Sequence, residues 1–376
     1  MSAADHSWHH EGYPELRDGP PWVMEEMIAA EPALAEPIAA AAGADAIAAA
    51  VTRAASAGEP IVVTGCGTSE HGALAVTALL DEALRTTGAR ARPEARQALD
   101  AALDPRAGGV CIGISHDGTT RATIHALAAA RKAGATTATI GARADSPIAA
   151  AADHVIVTPL RDRSWCHTVA YVSTILAGAA IAREIAGGEP EHGSATGQTL
   201  ALRPQIAELA TRLQDASRIL AVGLGADLVT ARELALKIEE GARIPSTALH
   251  LESLLHGHLA GCDAGATGLV LLAADASPAQ WRDQRLAGAA AAAGAIGIPT
   301  VAIGGQAALA GLPGGVERVV VPTGGGLAGA LLTGAVALQL LTLELAHLAG
   351  SNPDLIRREQ RPYREAAALA ETRADW

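Results

Sequence analysis

The chain has 376 residues, of which 49% are hydrophobic, 18% charged and only 2% aromatic, with no Phe and a formal net charge of −12. That length suits two domains of ordinary size, with cores filled by Ala, Leu, Val and Ile, as in helices packed on sheets. An acidic chain without a basic block speaks against nucleic-acid binding, and four scattered cysteines without a CxxC pair (Cys66, Cys111, Cys166, Cys262) speak against a zinc module or a disulfide framework.

In chain order, residues 1–45 form a lead and a helix outside any repeat. "MSAADHSWHHEGYPELRDGPPW" has no apolar signal core and reads as a mobile lead-in, which makes a cytoplasmic protein the expectation. A helix follows around "WVMEEMIAAEPALAEPI". A first domain is expected over 46–190. Within it, "PIVVTGCGTSEHGALAV" (60–76) is a strand, a Gly-x-Gly turn and a helix, and "GVCIGIS" (109–115) is a second strand. The stretch 135–159 is strand, loop, small helix and strand, and a long apolar helix spans about 168–187. After the Gly-rich linker "AGGEPEHGSATGQ" (186–198), a second domain over 199–350 repeats the plan. Here 218–234 answers 60–76, 268–274 answers 109–115, 297–322 answers 135–159, and an apolar helix at about 326–349 closes the unit. That last helix carries Glu344 and His347 and reads as buried, not as a membrane span. Residues 351–376 form an Arg-rich tail. The expected fold class is α/β, with two tandem doubly wound (flavodoxin-like) three-layer αβα domains on parallel sheets.

Open parallel sheets bind ligands beyond the carboxyl ends of their strands, where amides and helix N-termini favour anions. Two loops of the first half are equipped for this. In "GCGTSEHG" the candidates are Cys66, Gly67, Thr68 and Ser69; in "SHDGTT" they are Ser115, His116, Asp117, Gly118 and Thr120. The competing explanation is helix capping, but two such loops in one domain favour a binding site. Neither is GxGxxG, so a dinucleotide is not expected. "DRSWCHTVAY" adds Trp165 and His167 as a site rim, while Cys166 beside His167 is a poor nucleophile pair because sequence neighbours rarely face one another.

In the second half, Glu233, Lys237 and Glu240 fall at i, i+4 and i+7 on one helix face. On spacing alone, a solvated ion-paired face is the simpler reading. "HLESLLHGHLAG" supplies His250, Glu252, His256 and His258 without HExxH spacing, so no metal is expected. The chain has only two lysines, Lys132 and Lys237, so amine chemistry by the protein would fall to Lys237.

"GCGTSEHGA", "ISHDGTT", "GLGADLVTARELALKIEE" and "HGHLAG", in this order and spacing, resemble the tandem sugar isomerase (SIS) domain family. The similarity spans roughly residues 22–360 and includes the isomerase half of glucosamine-6-phosphate synthase and the amino-sugar-phosphate deaminases and deglycases. The resemblance implies an enzyme, and no cofactor is expected. Its ligand would be a sugar phosphate, held by Ser69, Ser115, His116, Asp117 and Thr120. It also implies that Glu240 moves the C2 proton, that His256 opens the sugar ring in the neighbouring subunit of a homodimer, and that Lys237 and Glu233 assist. A carboxylate partly withdrawn from water is suited to the C2 step. No glutaminase domain or N-terminal Cys nucleophile is expected, and the tail carries Arg where the family has a lysine segment, which fits the deaminase- and deglycase-like members better. Asp117 departs from the family's hydroxyl, and a carboxylate there would repel a phosphate by about 1–4 kcal/mol at contact. Three readings follow: a phosphosugar isomerase or deaminase; a related enzyme whose Asp117 binds hydroxyls or an amine of an unphosphorylated sugar derivative; and a non-catalytic sugar-phosphate-binding regulator. For Asp117 itself, turning away to cap the following helix is the alternative to contacting ligand.

Overall fold

The structure is a computed structural model that describes residues 8–10, 12–189, 193–275 and 280–372. Parts of the lead (1–7 and 11), the middle of the linker (190–192) and the last four residues of the tail lie outside the described residues.

Two five-stranded parallel sheets carry the chain. The first is built from β1 (Ile61–Gly65), β2 (Pro93–Gln97), β3 (Val110–Ile114), β4 (Thr136–Gly141) and β5 (His154–Val157), in the order β2-β1-β3-β4-β5. The second contains β6 (Arg218–Gly223), β7 (Ser246–His250), β8 (Thr267–Ala273), β9 (Thr300–Gly304) and β10 (Glu317–Val320) in the same order, β7-β6-β8-β9-β10. This 2-1-3-4-5 order is the flavodoxin-like doubly wound plan in both halves. The edge strands β2 and β7 have no apolar run and pair only with β1 and β6.

Six helices matter for the site: α1 (Val23–Ala30), α2 (Thr68–Leu84), α3 (Arg121–Lys132), α4 (Val169–Ala186), α5 (Ala226–Lys237) and α6 (Gly326–Leu348). Side chains alternate across each strand, so the sheets are apolar on both faces. Ile61, Val63, Val110, Ile112 and Ile114 enter a central core together with Val270, Leu272, Leu331 and Leu338 of the second unit. On the outer faces, Val62 and Cys111 pack with Leu127, while Leu220, Leu269 and Leu271 pack with Leu286 and Ala290. One continuous core thus joins the units. Helices α4 and α6 are long and apolar enough to cross a membrane, yet 67% and 83% of their most apolar windows are buried inside the protein. They are core helices: α4 packs chiefly on α2, and α6 on α5 and on the helix Arg203–Leu213.

The repeat extends to backbone angles. Gly67 and Gly225, each just before its helix, have φ/ψ of 57°/−128° and 57°/−127°. Two residues earlier, a Cβ on Gly65 would lie 2.5 Å from the Ser69 carbonyl oxygen and one on Gly223 would lie 2.4 Å from that of Asp227. Both turns are therefore closed against the first helical turn, which sets where α2 and α5 begin. Replacing Gly223 by Ala is expected to destabilise the chain by about 1–3 kcal/mol through overpacking against backbone that cannot give way, read as a lower urea midpoint with unchanged slope.

Candidate functional site

The carboxyl ends of β1 and β3 present the two loops of the first unit. Gly118 has φ +70°, and a Cβ there would lie 2.2 Å from Ser146 Oγ, so the second loop is folded tightly onto the following segment. Its hydroxyls converge: Ser115 Oγ donates to Thr120 Oγ1 at 3.1 Å, with Thr120 standing at the N-cap of α3. Ser69 lies in the first turn of α2 and is half-buried. Cys66 is half-buried, accepts weakly from Gln97 Nε2 at 3.7 Å, and burial pushes its thiol up.

His116 departs from the expected ligand geometry. Its Nε2 accepts the Asp162 backbone N–H at 2.7 Å, which requires a lone pair on that atom and therefore a neutral ring. Burial drives its pKa down to about 4, in keeping with that role. His167, its ring 5.7 Å from that of His116, is likewise lowered to about 4 by burial. Asp162 in turn accepts from the backbone N–H groups of Ser164, Thr168 and Ala170. His116 thus braces the 162–168 loop through Nε2, and the hydrogen of its neutral ring is on Nδ1.

Asp117 does not cap α3; its Oδ1 accepts from Arg161 Nε at 2.7 Å, and both side chains are partly exposed. Trp165 lines one cavity with Asp117 and Arg161, its ring 4.4 Å from that of Tyr13 and 4.9 Å from the Arg358 guanidinium. Cys166 is fully buried, its Sγ 4.0 Å from the Lys237 carbonyl oxygen, and burial raises its thiol well above the ordinary range. It is not a nucleophile partner of His167.

The second unit contributes a buried charge cluster. Glu233 and Lys237 are both 0% exposed, so the solvated-face reading of this helix is wrong: α5 packs its charged face against α2 and α6. Glu233 accepts from Thr68 Oγ1 at 3.1 Å and from His71 Nδ1 at 2.6 Å, and lies 3.6 Å from Lys237 Nζ. Lys237 also donates to Glu240. Burial opposes charge on Glu233, but Lys237, His71 and Thr68 outweigh it and hold the carboxyl below the ordinary range. Burial likewise opposes the Lys237 ammonium, and Glu240 and Glu233 overcome it, so the lysine stays charged. At Glu240 burial prevails over the pull of Lys237 and raises the carboxyl above the usual range, with 22% of the side chain still open to solvent.

Glu240 sits in a widened turn. After α5 the chain continues over Ile238–Ala242 with i→i+5 bonding, closed by Arg243 N–H to the Ile238 carbonyl at 2.9 Å. Such turns recur at functional sites because they re-aim a side chain without ending the helix. Arg243, at φ +63°, ends it and pairs with Glu359 of the tail.

His256 stands apart. Its side chain is 74% exposed, with Nε2 3.2 Å from Glu252 Oε2. The structure thus brings together Thr68, Glu233, Lys237 and Glu240, places Ser115 against Thr120, and leaves His256 on the surface. His71 and Arg161 were missed by sequence reasoning. A signal for His71 exists: it lies three residues after Thr68, on the same helix face. Among the described residues, no group of three or more His, Cys, Asp or Glu is placed to hold a metal ion.

Residues 56–182 match the SIS domain family; a search of curated proteins found no match. The whole chain is similar in fold to the C-terminal domain of glucosamine-fructose-6-phosphate aminotransferase from Francisella tularensis (18% identity, TM-score 0.76, covering 90% of this chain and 99% of that one). It is also similar to tagatose-6-phosphate ketose/aldose isomerase from Escherichia coli (17%, 0.72, 92% and 98%) and to glucosamine-6-phosphate deaminase from Thermotoga maritima (19%, 0.69, 88% and 96%).

Two outcomes check the site's energetics. Glu233→Ala is expected to cost about 3–5 kcal/mol, because it strips one partner from a buried ammonium; chemical denaturation measures this. His116 has a folded pKa of about 4 against an ordinary 6.5. Above pH 6.5 neither the folded nor the unfolded state is protonated there and nothing is lost. As pH falls from 6.5 towards 4 the unfolded chain takes up the proton first, so stability declines by up to about 3 kcal/mol. His116→Gln should flatten that part of the stability–pH curve.

Proposed function

We propose, from the match of residues 56–182 to the SIS domain family, that the protein is a SIS-type enzyme that interconverts, or removes the nitrogen from, a sugar phosphate or amino-sugar phosphate. Glu240 would be the group that moves the C2 proton. The observation that carries this reading is the position of Glu240: partly solvent-exposed, raised by burial, and fixed by a lysine that is itself locked to Glu233. A carboxylate whose basicity is raised by burial is suited to taking a proton from carbon.

In this reading the sugar lies across the carboxyl ends of β1 and β3, its phosphate towards Ser69, Ser115, Thr120 and the loop amides, while Thr68 is committed to Glu233. Asp117 does not forbid the anion. Its charge is offset by Arg161, so the loop meets a phosphate as an ion pair whose guanidinium retains donors. His256, exposed and outside its own chain's cluster, is available to the site of a second copy, where it would open the sugar ring. The protein is accordingly proposed to act as a homodimer. The structures similar to this one include a tagatose-6-phosphate ketose/aldose isomerase and a glucosamine-6-phosphate deaminase, in keeping with either reaction.

The Asp117 carboxylate also supports a second reading, in which it accepts hydroxyl or amine hydrogens of an unphosphorylated sugar. Calorimetry separates the two. Glucosamine 6-phosphate is expected to bind and glucosamine not, and Arg161→Ala should weaken the phosphorylated sugar about tenfold, or about 1.4 kcal/mol. Glucosamine binding as tightly as its phosphate would favour the second reading. Glu240→Gln is expected to lower turnover of the accepted sugar phosphate by about 100- to 10,000-fold with little change in binding; retained activity would remove Glu240 from the role.

A further inference from the structure

Moving a carbonyl from C1 to C2 of a sugar needs two proton transfers, one between the carbons and one between the oxygens. Glu240 serves the carbons in the function proposed above, on which this inference rests. Lys237 is wholly buried between Glu233 and Glu240 and is poorly placed to shuttle a proton between substrate oxygens.

His71 is differently held. It lies on α2 one turn beyond Thr68, its Nδ1 2.6 Å from Glu233 Oε2, with 15% of its side chain open to solvent. Glu233 accepts at that oxygen, so Nδ1 carries a hydrogen, and the tautomer so fixed has its lone pair on Nε2. The other carboxylate oxygen is occupied by the Thr68 hydroxyl and faces Lys237, so the carboxylate cannot swing and the imidazole is fixed in orientation and tautomer. This is an oriented carboxylate–histidine pair, linked to Glu240 through Glu233 and Lys237 and near enough for its charge to act on the Glu240 carboxyl.

We propose that His71 is the second acid–base group of the site, moving the proton between the substrate oxygens. Glu240 takes hydrogen from C2, leaving an enediolate with its charge on O1. Nε2 of His71 accepts the hydrogen of O2 (or of the C2 amine in an amino sugar). The imidazolium, stabilised by Glu233, returns that hydrogen to O1 while Glu240 delivers its own to C1. One C–H and one O–H bond break, one of each forms, and no oxidant or reductant enters.

The test uses the full chain with fructose 6-phosphate, tagatose 6-phosphate and glucosamine 6-phosphate in D2O. NMR follows washout of the carbon-bound hydrogen and, separately, formation of product. His71→Ala is expected to lower product formation by about 100-fold or more while washout continues, and added imidazole should restore part of the rate. His71→Asn, which keeps a donor towards Glu233 without a transferable proton, should be as slow as the Ala variant. Glu240→Gln should lose both signals. Product formation at the wild-type rate in His71→Ala, or full recovery in His71→Asn, would overturn the proposal, as would parallel loss of washout and product in a folded His71→Ala protein. A wild-type chain inert towards all three sugars would overturn the proposed function itself, and this role with it.

Discussion

A lysine buried to 0% exposure is the constraint around which this molecule is arranged. An ammonium withdrawn from water costs several kcal/mol unless anions meet it, and Lys237 meets two. Glu233 compensates from the same helix and Glu240 from the widened turn that follows. Glu233 then has its own remaining lone pairs to satisfy, and the donors come from the other unit: Thr68 and His71 on α2. The charge cluster is thus also the polar seam between the two repeats, so the α2–α5 packing and the aim of Glu240 are set by one network. Disturbing either unit disturbs the carboxylate that faces solvent.

The repeats share a backbone and differ in what fills it. Both Gly-x-Gly turns have the same dihedral angles, and both end at the start of a helix. The second residue after the turn is Ser69 in one unit and Asp227 in the other. Asp227 is buried and accepts from the backbone N–H groups of Ala274 and Asp275 at the end of β8. The second unit therefore supplies its own carboxylate to strand-end amides, whereas the first places a neutral hydroxyl residue beside the corresponding loop. Burial lifts Asp227 to about 6 despite those amide donors, a sign of how thoroughly the loop encloses it. Divergence of one residue in a shared turn is sufficient to make the two strand ends chemically unequal.

The doubled αβα plan was legible because buried parallel strands and long core helices leave unbroken apolar runs, and because the runs recur in order. The edge strands were not: "PEARQ" and "STALH" gain their conformation from pairing with β1 and β6 and carry no pattern of their own. The candidate site drew on the loops and on the helical spacing of Glu233, Lys237 and Glu240. Spacing alone, however, pointed that face to solvent, since i,i+4 charge pairs are ordinary on surfaces. Its burial depends on a helix 160 residues earlier. The same holds for Arg161, whose pairing with Asp117 crosses 44 residues, and for His116, whose chemistry is decided by one backbone N–H 46 residues away.

The tail follows the same logic of distant closure. Asp354 accepts from the N–H groups of Val23 and Met24 at the start of α1, where a carboxylate meets the positive end of the helix, and its carbonyl accepts from Trp165 N–H. Ser351 donates to the Gly241 carbonyl in the widened turn, and Glu359 holds Arg243 just beyond it. Arg358 covers one side of the Trp165 ring while Tyr13 from the lead packs near it. Both ends of the described chain therefore converge on the segments that position Glu240 and the 162–168 loop. Arginine suits this work better than lysine, because its planar, permanently charged group can stack on a ring and pair with a carboxylate at modest desolvation cost. An Arg-rich segment at this position thus secures the walls of the site and places no titratable amine inside it.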